Sequence, residues 1–482
     1  MFDLRPVGYV SGLLLSALGL SMLLPLLADV VEGNGQWPVF LESAAITGIA
    51  GVLSAVSCAN GVGDRLSIQQ TFLMTVGVWF LLPVFGALPF VLGETDARYV
   101  DAFFEAMSGF TTTGSTVFSG LDDLPSGLLL WRGLMQWFGG IGIIVVAMVF
   151  LPELRVGGMQ IFRTESFDTM GKILPRATQI AAQISVIYVG LTLLCGLSYL
   201  LLGMPAFDAL VHALTTMSTG GFSTRDASFG DFQGPTEYVA SVFMILASLP
   251  FVRYIQLVAG SPRPLFRDTQ IRAYVGTILF LTLFLTAYRT IFNGDVWEHG
   301  FREGMFNVTS IISGTGYASV DYQLWGSLPV VMFFYIGLIG GCAGSTSCSI
   351  KIFRYQLLFS SIVIQIKRIH APHGIFHLRY AGRPVSEDVL SSVMAFFVMF
   401  TVSVGVLAVL LGLTGLDFIT SLSGAASAIA NIGPGLGETI GPAGNFSSLN
   451  DTAKWLLSAA MLIGRLELVA VYAIFTLRFW QA

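Results

Sequence analysis

Four short segments constrain this chain more than any other feature. GFTTTGS (109–115), TMSTGGF (216–222), IISGTGY (311–317) and AIANIGP (428–434) align on one glycine each, Gly114, Gly221, Gly316 and Gly433, spaced 107, 95 and 117 residues apart. Self-similarity at long intervals marks a fold assembled from repeats. Thirteen residues before the first three anchors stand Asp101, Asp208 and Glu303; the fourth repeat has Thr420 there, with Asp417 one turn earlier. Each of these positions opens an apolar stretch of 10 to 13 residues that ends just before its glycine segment. Such a stretch is too short to cross a bilayer and reads as a re-entrant helix. Its acid would sit at the helix N-terminus, where the backbone dipole is positive.

The surroundings are those of a membrane protein. Of 482 residues, 54% are hydrophobic and 11% charged, against about 25% charged in a soluble domain. Apolar runs long enough to span recur throughout, among them Val10–Leu27, Phe72–Leu92 and Ile180–Leu202. No Ala-x-Ala site follows the first run, so it is expected to remain as a helix. A long apolar run precedes and follows each glycine unit. The expected fold is therefore all-α and polytopic: four helix–pore-loop–helix repeats in pseudo-fourfold array around one axis. Two further helices, near 8–31 and 38–58, come first, giving ten spanning helices and four re-entrant ones. The boundaries fall at 1–66, 67–178, 179–268, 269–384 and 385–482.

Alternating helices place 17 of the 24 Lys/Arg on one face, including Arg5, Arg65, the Arg155–Arg176 segment, Arg263–Arg272 and Lys351–Arg383. The other face receives Arg98, Arg225, Arg289, Arg302 and Lys454, and carries Glu94, Asp96, Asp122, Asp123, Asp226, Asp231, Asp295 and Asp321. The positive-inside rule makes the first face cytoplasmic, with both termini inside. An acidic outer mouth favours cations.

Irregular backbone at membrane depth survives only where it lines a water-filled path or is buried in protein. Glycine lets an extended segment turn its carbonyls to one side, and four such segments around an axis form oxygen rings that can replace an ion's hydration shell. The oxygens would come from Thr112 and Thr113, Thr219 and Gly220, Gly314 and Thr315, and Asn431 and Ile432. A lone Thr-Gly segment is more simply a kink or a packing seam, but four in register, three with an acid at one offset, are not.

These motifs, SGFTTTG, STGGFST, SGTGYAS and NIGPG, together with GGCAGST (340–346) and GRLE (464–467), resemble the Trk/Ktr/HKT superfamily of potassium transporters, in particular its TrkH/TrkG branch. The resemblance covers the whole chain. It implies a single-file K⁺ filter and no organic cofactor. It also implies a homodimer in the bacterial cytoplasmic membrane, and gating by a cytosolic, nucleotide-binding TrkA-like ring. Relatives that favour Na⁺ tend to carry serine at the first filter glycine, whereas glycine stands at all four anchors here. The alternative within transport is a Na⁺-permeable or Na⁺-coupled Ktr-like carrier.

GGCAGSTSCSIK (340–351) interrupts an apolar run with poor helix formers, and is expected to break the helix beneath the third glycine segment. The resemblance makes 340–350 an intramembrane gating loop, with Gly340, Gly341, Gly344, Ser345 and Thr346 at its centre. Ser347, Cys348 and Ser349 replace the commoner glycine-rich ending, which implies a stiffer loop. Arg465 lies among apolar residues, where an ionisable group is functional by default. It either pairs with Glu467 or, by the family analogy, stands near the gate as a barrier to cations; the two are compatible. Arg132 asks for a structural partner, for which Glu105 is the candidate.

Other signals carry less. His370, His373 and His377 fall in a basic segment without Cys or carboxylate neighbours, and the four cysteines have no metal or disulfide spacing. The Asn-x-Ser/Thr triplets at Asn307, Asn445 and Asn450 are common by chance. No P-loop, dinucleotide fingerprint or phosphorylation motif is present, and no nucleic-acid signature. An enzyme or pump component lacks its chemistry here, and a non-conducting assembly subunit would not need four matched loops.

Overall fold

A computed structural model describes residues 3–61, 67–147, 158–159 and 177–481. Arg65 and, apart from Gly158 and Met159, the Arg155–Arg176 segment lie outside the described residues. The chain is helical almost throughout. Helices α1 (Arg5–Ser21), α2 (Leu23–Glu32) and α3 (Trp37–Cys58) come first. Next are α4 (Ile68–Gly86), α5 (Leu88–Leu92), α6 (Tyr99–Phe110) and α7 (Ser126–Val145). They are followed by α8 (Ala177–Leu201), α9 (Ala206–Met217), α10 (Pro235–Ala247) and α11 (Phe251–Val258). After α12 (Arg263–Arg267) the third repeat holds α13 (Thr269–Tyr288), α14 (Trp297–Ser313), α15 (Ser327–Gly337) and α16 (Ile352–His370). The last holds α17 (Glu387–Leu413), α18 (Phe418–Ala430), α19 (Asp451–Arg465) and α20 (Val469–Ile474).

Among the described residues, seven helices or end-to-end helix pairs are long and apolar enough to cross a membrane. Ten were expected, and the difference has a physical cause. The second long helix is broken in each of repeats two, three and four. Ser248-Leu249-Pro250 bends α10 against α11 by 91°, because proline cannot donate to the helix ladder. Fourteen residues separate α15 from α16. Left-handed Glu467 (φ 62°) and Leu468 (φ 48°) separate α19 from α20. Repeat one keeps α7 whole, and α7 is the most enclosed span, with 72% of its apolar window buried against 28% for α13 and α17. The spans that face outward expose rows of Leu, Val, Ile and Phe, such as Leu193, Leu197, Leu279, Phe280, Val402 and Val409. In water this surface would be a liability; in lipid it is the solvent-facing side.

The short helices α6 and α9, 12 residues each, would run about 18 Å, well under the ~30 Å hydrocarbon core. Asp101 and Asp208 stand in the first turns of α6 and α9. Asp417 caps α18 through the Ile419 and Thr420 amides. Exposed at that end, its carboxyl is held below the ordinary carboxylate range by the Thr420 side chain and then by these amides. Glu303 departs from expectation: α14 begins six residues earlier, at Trp297, so Glu303 is mid-helix and does not face the dipole. It is there to meet Arg289, 2.8 Å away.

All five cations assigned to the acidic face are paired. Lys454 meets Asp101 at 2.6 Å, Arg225 meets Asp208 at 2.9 Å and Asp122 at 3.1 Å, and Arg289 meets Asp295 at 2.6 Å. Arg98 bridges Asp101 and Asp451, and Arg302 pairs with Glu237. Lys454 ties the acid of α6 to the last repeat, and Arg225 ties the acid of α9 to the segment after its own glycine.

Candidate functional site

The four glycine segments meet at the centre of the molecule, and they meet in order. A Cβ on Gly114 would lie 2.3 Å from the Gly220 carbonyl oxygen, one on Gly221 1.9 Å from that of Thr315, one on Gly316 2.0 Å from that of Ile432, and one on Gly433 2.8 Å from that of Thr113. Each anchor therefore presses on the residue just before the next anchor, and the fourth returns to the first. None of these contacts leaves room for a side chain.

The local conformation recurs in all four. The anchors are left-handed, at φ 86°, 77°, 83° and 111°, and so are the residues two positions earlier, Thr112 (51°), Thr219 (50°), Gly314 (77°) and Asn431 (51°). Between them the amides of Thr113, Gly220, Thr315 and Ile432 bond back to the carbonyls of Ser108, Thr215, Ser310 and Ser427, at 2.9, 2.9, 2.9 and 3.1 Å. The backbone N–H groups are thus tied to the short helices, and the carbonyls of Thr113, Gly220, Thr315 and Ile432 stand against the neighbouring anchor glycines. Two threonines and an asparagine in the left-handed region were not foreseen. Such conformations cost of order 1–3 kcal/mol each and persist only where the surroundings impose them.

Above the ring, toward the acidic face, lies an open cavity of about 290 Å³ lined by Gly114, Gly221, Gly316 and Gly433 together with Asp226 and Phe446. The loop between α15 and α16 closes the opposite side. Cys348 sits against the ring: its Sγ is 3.8 Å from the Thr112 hydroxyl, and its Cβ lies 3.4 Å from where a Cβ on Gly314 would be. The space left there is about 20 Å³, between Ser345, Ser347, Cys348, Asn431 and Arg465, enough for about one water.

The loop is pinned rather than free. Short strands β1 (Ile339–Gly340) and β2 (Ile350–Lys351) pair in parallel and clasp its base. Cys342 and Thr346 donate to the carbonyls of Ser248 and Ala247, at 3.0 and 3.3 Å, and Gly344 accepts from Phe251 at 2.9 Å. These three partners are the groups released by the break at Ser248–Pro250. Gly341 N–H is held by the Ser347 hydroxyl at 2.8 Å, Ser345 Oγ bonds the Cys342 carbonyl at 2.6 Å, and Lys351 Nζ reaches the Ser347 carbonyl.

Arg465, 3% exposed, reaches into this loop. Its guanidinium donates to the Thr346 carbonyl at 3.3 Å and to the Gly139 carbonyl at 3.2 Å, and touches Cys348 Sγ. The pairing with Glu467 does not form: Glu467 is held by Arg354 instead, because the break after Arg465 turns the two side chains apart.

The chain matches the family model described as "TrkH: Cation transport protein" over residues 37–481. It is 44% identical over 478 residues to the Trk system potassium uptake protein TrkI of Halomonas elongata, covering 99% of this chain and 97% of that one. The chain belongs to the TrkH family. Similarity to the Trk system potassium uptake protein TrkH of Escherichia coli K12 is 33% over 485 residues, 99% of each chain. The crystal structure of the potassium transporter TrkH from Vibrio parahaemolyticus superimposes with a TM-score of 0.92 at 30% identity, covering 99% of this chain and 100% of that one. As a TrkH-family protein this is a bacterial membrane transporter and not an enzyme.

Two supports of the TrkH-family site lie in α7. Gln136 donates to the Gly220 carbonyl at 2.6 Å and accepts from Phe222 N–H at 3.0 Å. Arg132 pairs with Glu105 at 2.8 Å, donates to the Ser223 carbonyl at 2.7 Å and stacks 4.2 Å from the Phe222 ring. Glu105 was the partner expected for Arg132. Gln136 was missed, although a lone amide in LLLWRGLMQW is a signal that a buried donor has somewhere to go.

Proposed function

We propose that this chain carries K⁺ into the bacterial cell across the cytoplasmic membrane. The ions would pass through the ring formed by Thr112–Gly114, Thr219–Gly221, Gly314–Gly316 and Asn431–Gly433. One observation carries the reading: each anchor glycine is pressed against the next segment's carbonyl, so four backbone strands form a closed ring of oxygens with no side chain between them. Rings of this kind replace an ion's hydration shell. The names of the relatives, all potassium uptake proteins, support the choice of ion, as does glycine rather than serine at Gly114.

The gate is the 340–350 loop, with Gly340, Gly341, Gly344, Ser345 and Thr346 carrying the main-chain turns and Arg465 supplying the positive charge beneath the filter. The loop's bonds to Ala247, Ser248 and Phe251, and its contact with Arg465, support a closed resting state. The chain works as a homodimer, with both termini cytoplasmic, under a cytosolic nucleotide-binding TrkA-like ring that docks on the basic face. The four repeats are bounded at 67–178, 179–268, 269–384 and 385–482, after the two leading helices of 1–66.

Radiolabelled Rb⁺ flux into proteoliposomes, with and without the regulatory ring and ATP, tests the reading. Rb⁺ uptake competed by K⁺ and not by Na⁺ is expected. No flux under any condition refutes transport by this path, and equal competition by Na⁺ turns the assignment to the Na⁺-permeable alternative.

A further inference from the structure

The cations of the two faces differ in a way that their numbers do not explain. On the acidic face all five are bonded to carboxylates, as described above. On the basic face Arg263, Arg267, Arg272, Arg379 and Arg383 are exposed, and among the described residues none has a carboxylate partner. One of them, Arg267, lines a cavity, and Arg379 and Arg383 bracket the hairpin residues 380–382 that line its other side. The cavity measures about 510 Å³ and is lined by Arg253, Arg267, Asp268, Thr269, Tyr380 and Gly382. One wall is the short helix α12. The other is a two-stranded hairpin of β3 (Arg379–Tyr380) and β4 (Arg383–Pro384), turned through left-handed Ala381 (φ 47°) and Gly382 (φ 81°).

The depth of this cavity is fixed by α13. That helix opens an apolar span at Thr269, so the cavity mouth lies at the boundary between hydrocarbon and headgroups. Asp268, the acid among the described lining residues, is already engaged: it accepts from Arg253 at 2.7 Å and from the Gln270 amide at 2.8 Å. Among the described residues this leaves Arg267 without a carboxylate partner, and likewise Arg263 in the same short helix and Arg379 and Arg383 on the facing hairpin. Phe266, next to Arg267 in α12, and Val258, at the end of α11, are exposed, at 72% and 77%. Cations at headgroup depth flanked by bare apolar side chains match a molecule with an anionic head and an acyl tail.

The geometry points to a binding site for an anionic phospholipid of the cytoplasmic leaflet, its phosphate held between α12 and the 379–384 hairpin. The hairpin lies directly after α16, and α16 begins at the end of the gating loop. A lipid clamped there ties the far end of the gate's helix to the span that follows the break at Pro250. A free phosphate would satisfy the arginines but not the apolar flank.

The full-length protein in a neutral detergent is titrated with dioleoylphosphatidylglycerol, with dioleoylphosphatidylcholine and with inorganic phosphate, and thermal unfolding is followed. Stabilisation by phosphatidylglycerol alone is expected. The Arg267→Gln variant should bind it at least about fivefold more weakly, the effect of one arginine near a charged surface. Arg368→Gln, on α16 and outside the cavity, should bind as the wild type does. Equal stabilisation by both lipids, or equal loss in the two variants, overturns the site. Stabilisation by inorganic phosphate to the same degree overturns its assignment to lipid. Lipid indifference together with loss of a cytosolic regulatory ring from the Arg267→Gln variant would give the patch to a protein instead.

Discussion

Arg465 donates to the carbonyl oxygen of Thr346 across 3.3 Å, and through that bond the last repeat holds the loop of the third. The same guanidinium donates to Gly139 of α7 at 3.2 Å. One buried cation thus spans three repeats just beneath the ring, and it does so without a carboxylate partner. Among the described residues its charge is met by the carbonyl oxygens of Thr346 and Gly139 and by Cys348 Sγ. In a low-dielectric interior such a charge acts over several ångströms with little screening, so on the proposed path an ion leaving the ring toward the basic face would meet it directly.

Replacing Arg465 with Gln keeps some donor capacity and removes the charge. Basal Rb⁺ flux through the purified protein should then rise by roughly tenfold, equivalent to about 1.4 kcal/mol of barrier. Arg465→Lys keeps the charge and should stay near the wild type. A Gln variant that leaks no more than the wild type would show that the loop closes the path sterically and that the arginine is only a tether.

Gly114→Ser addresses the ring itself. Its Cβ would lie 2.3 Å from the Gly220 carbonyl, on a backbone at φ 86°, so that carbonyl must move aside. Discrimination of K⁺ over Na⁺, measured by competition against Rb⁺ uptake, should fall by about tenfold or more, since a selectivity ring depends on oxygen positions. Gly120→Ser is the matched control: it is also left-handed, at φ 71°, but a Cβ there meets nothing within 4 Å. It should cost stability and leave ion preference unchanged.

Much of this was legible because it is periodic. The anchors, the apolar runs and the Gly/Ser-rich interruption all declare themselves by spacing, and the segments converge in chain order. The breaks at Ser248–Pro250 and at Glu467–Leu468 were hidden for opposite reasons. The first has a proline but lies in an apolar run long enough to look continuous. The second has no breaker residue at all, and is imposed by packing around Arg465 and Arg354. Left-handed Thr112 and Thr219 were equally hidden, since a β-branched residue is the last choice for that region and only the closed ring requires it there. Glu303 shows the limit of an offset rule: the spacing was right, but the helix began a turn and a half too early for the dipole to matter.

Gln136→Leu removes the hydrogen bonds to the Gly220 carbonyl (2.6 Å) and from the Phe222 amide (3.0 Å) while keeping most of the volume. The stranded amide should cost about 1–3 kcal/mol of stability, read as a lower unfolding temperature. Because Gly220 then loses the group that fixes its oxygen, K⁺ uptake should fall as well, by severalfold, with ion preference blurred. Lost stability with untouched transport would mean that Gln136 supports the fold and not the ring.

The Arg132–Glu105 pair can be taken apart in two steps. Both side chains are essentially buried, at 1% and 0% exposure, and desolvating two charges is costly enough that such a pair need not stabilise the fold. Breaking it is another matter: Arg132→Met leaves a buried carboxylate and frees the Ser223 carbonyl, and should cost about 3–5 kcal/mol. Glu105→Gln on top of it removes the stranded charge. The amide oxygen can still accept from the Thr116 hydroxyl and the Val117 N–H, which bond Glu105 at 2.9 Å each in the native protein. The double variant should therefore recover most of the stability lost by the single one. Transport should not recover with it, because Arg132 also sets the segment after Gly221 through the Ser223 carbonyl and the Phe222 ring. If stability and K⁺ uptake return together, the pair serves charge balance alone; if neither returns, the arginine's packing against Phe222 outweighs its ion pair.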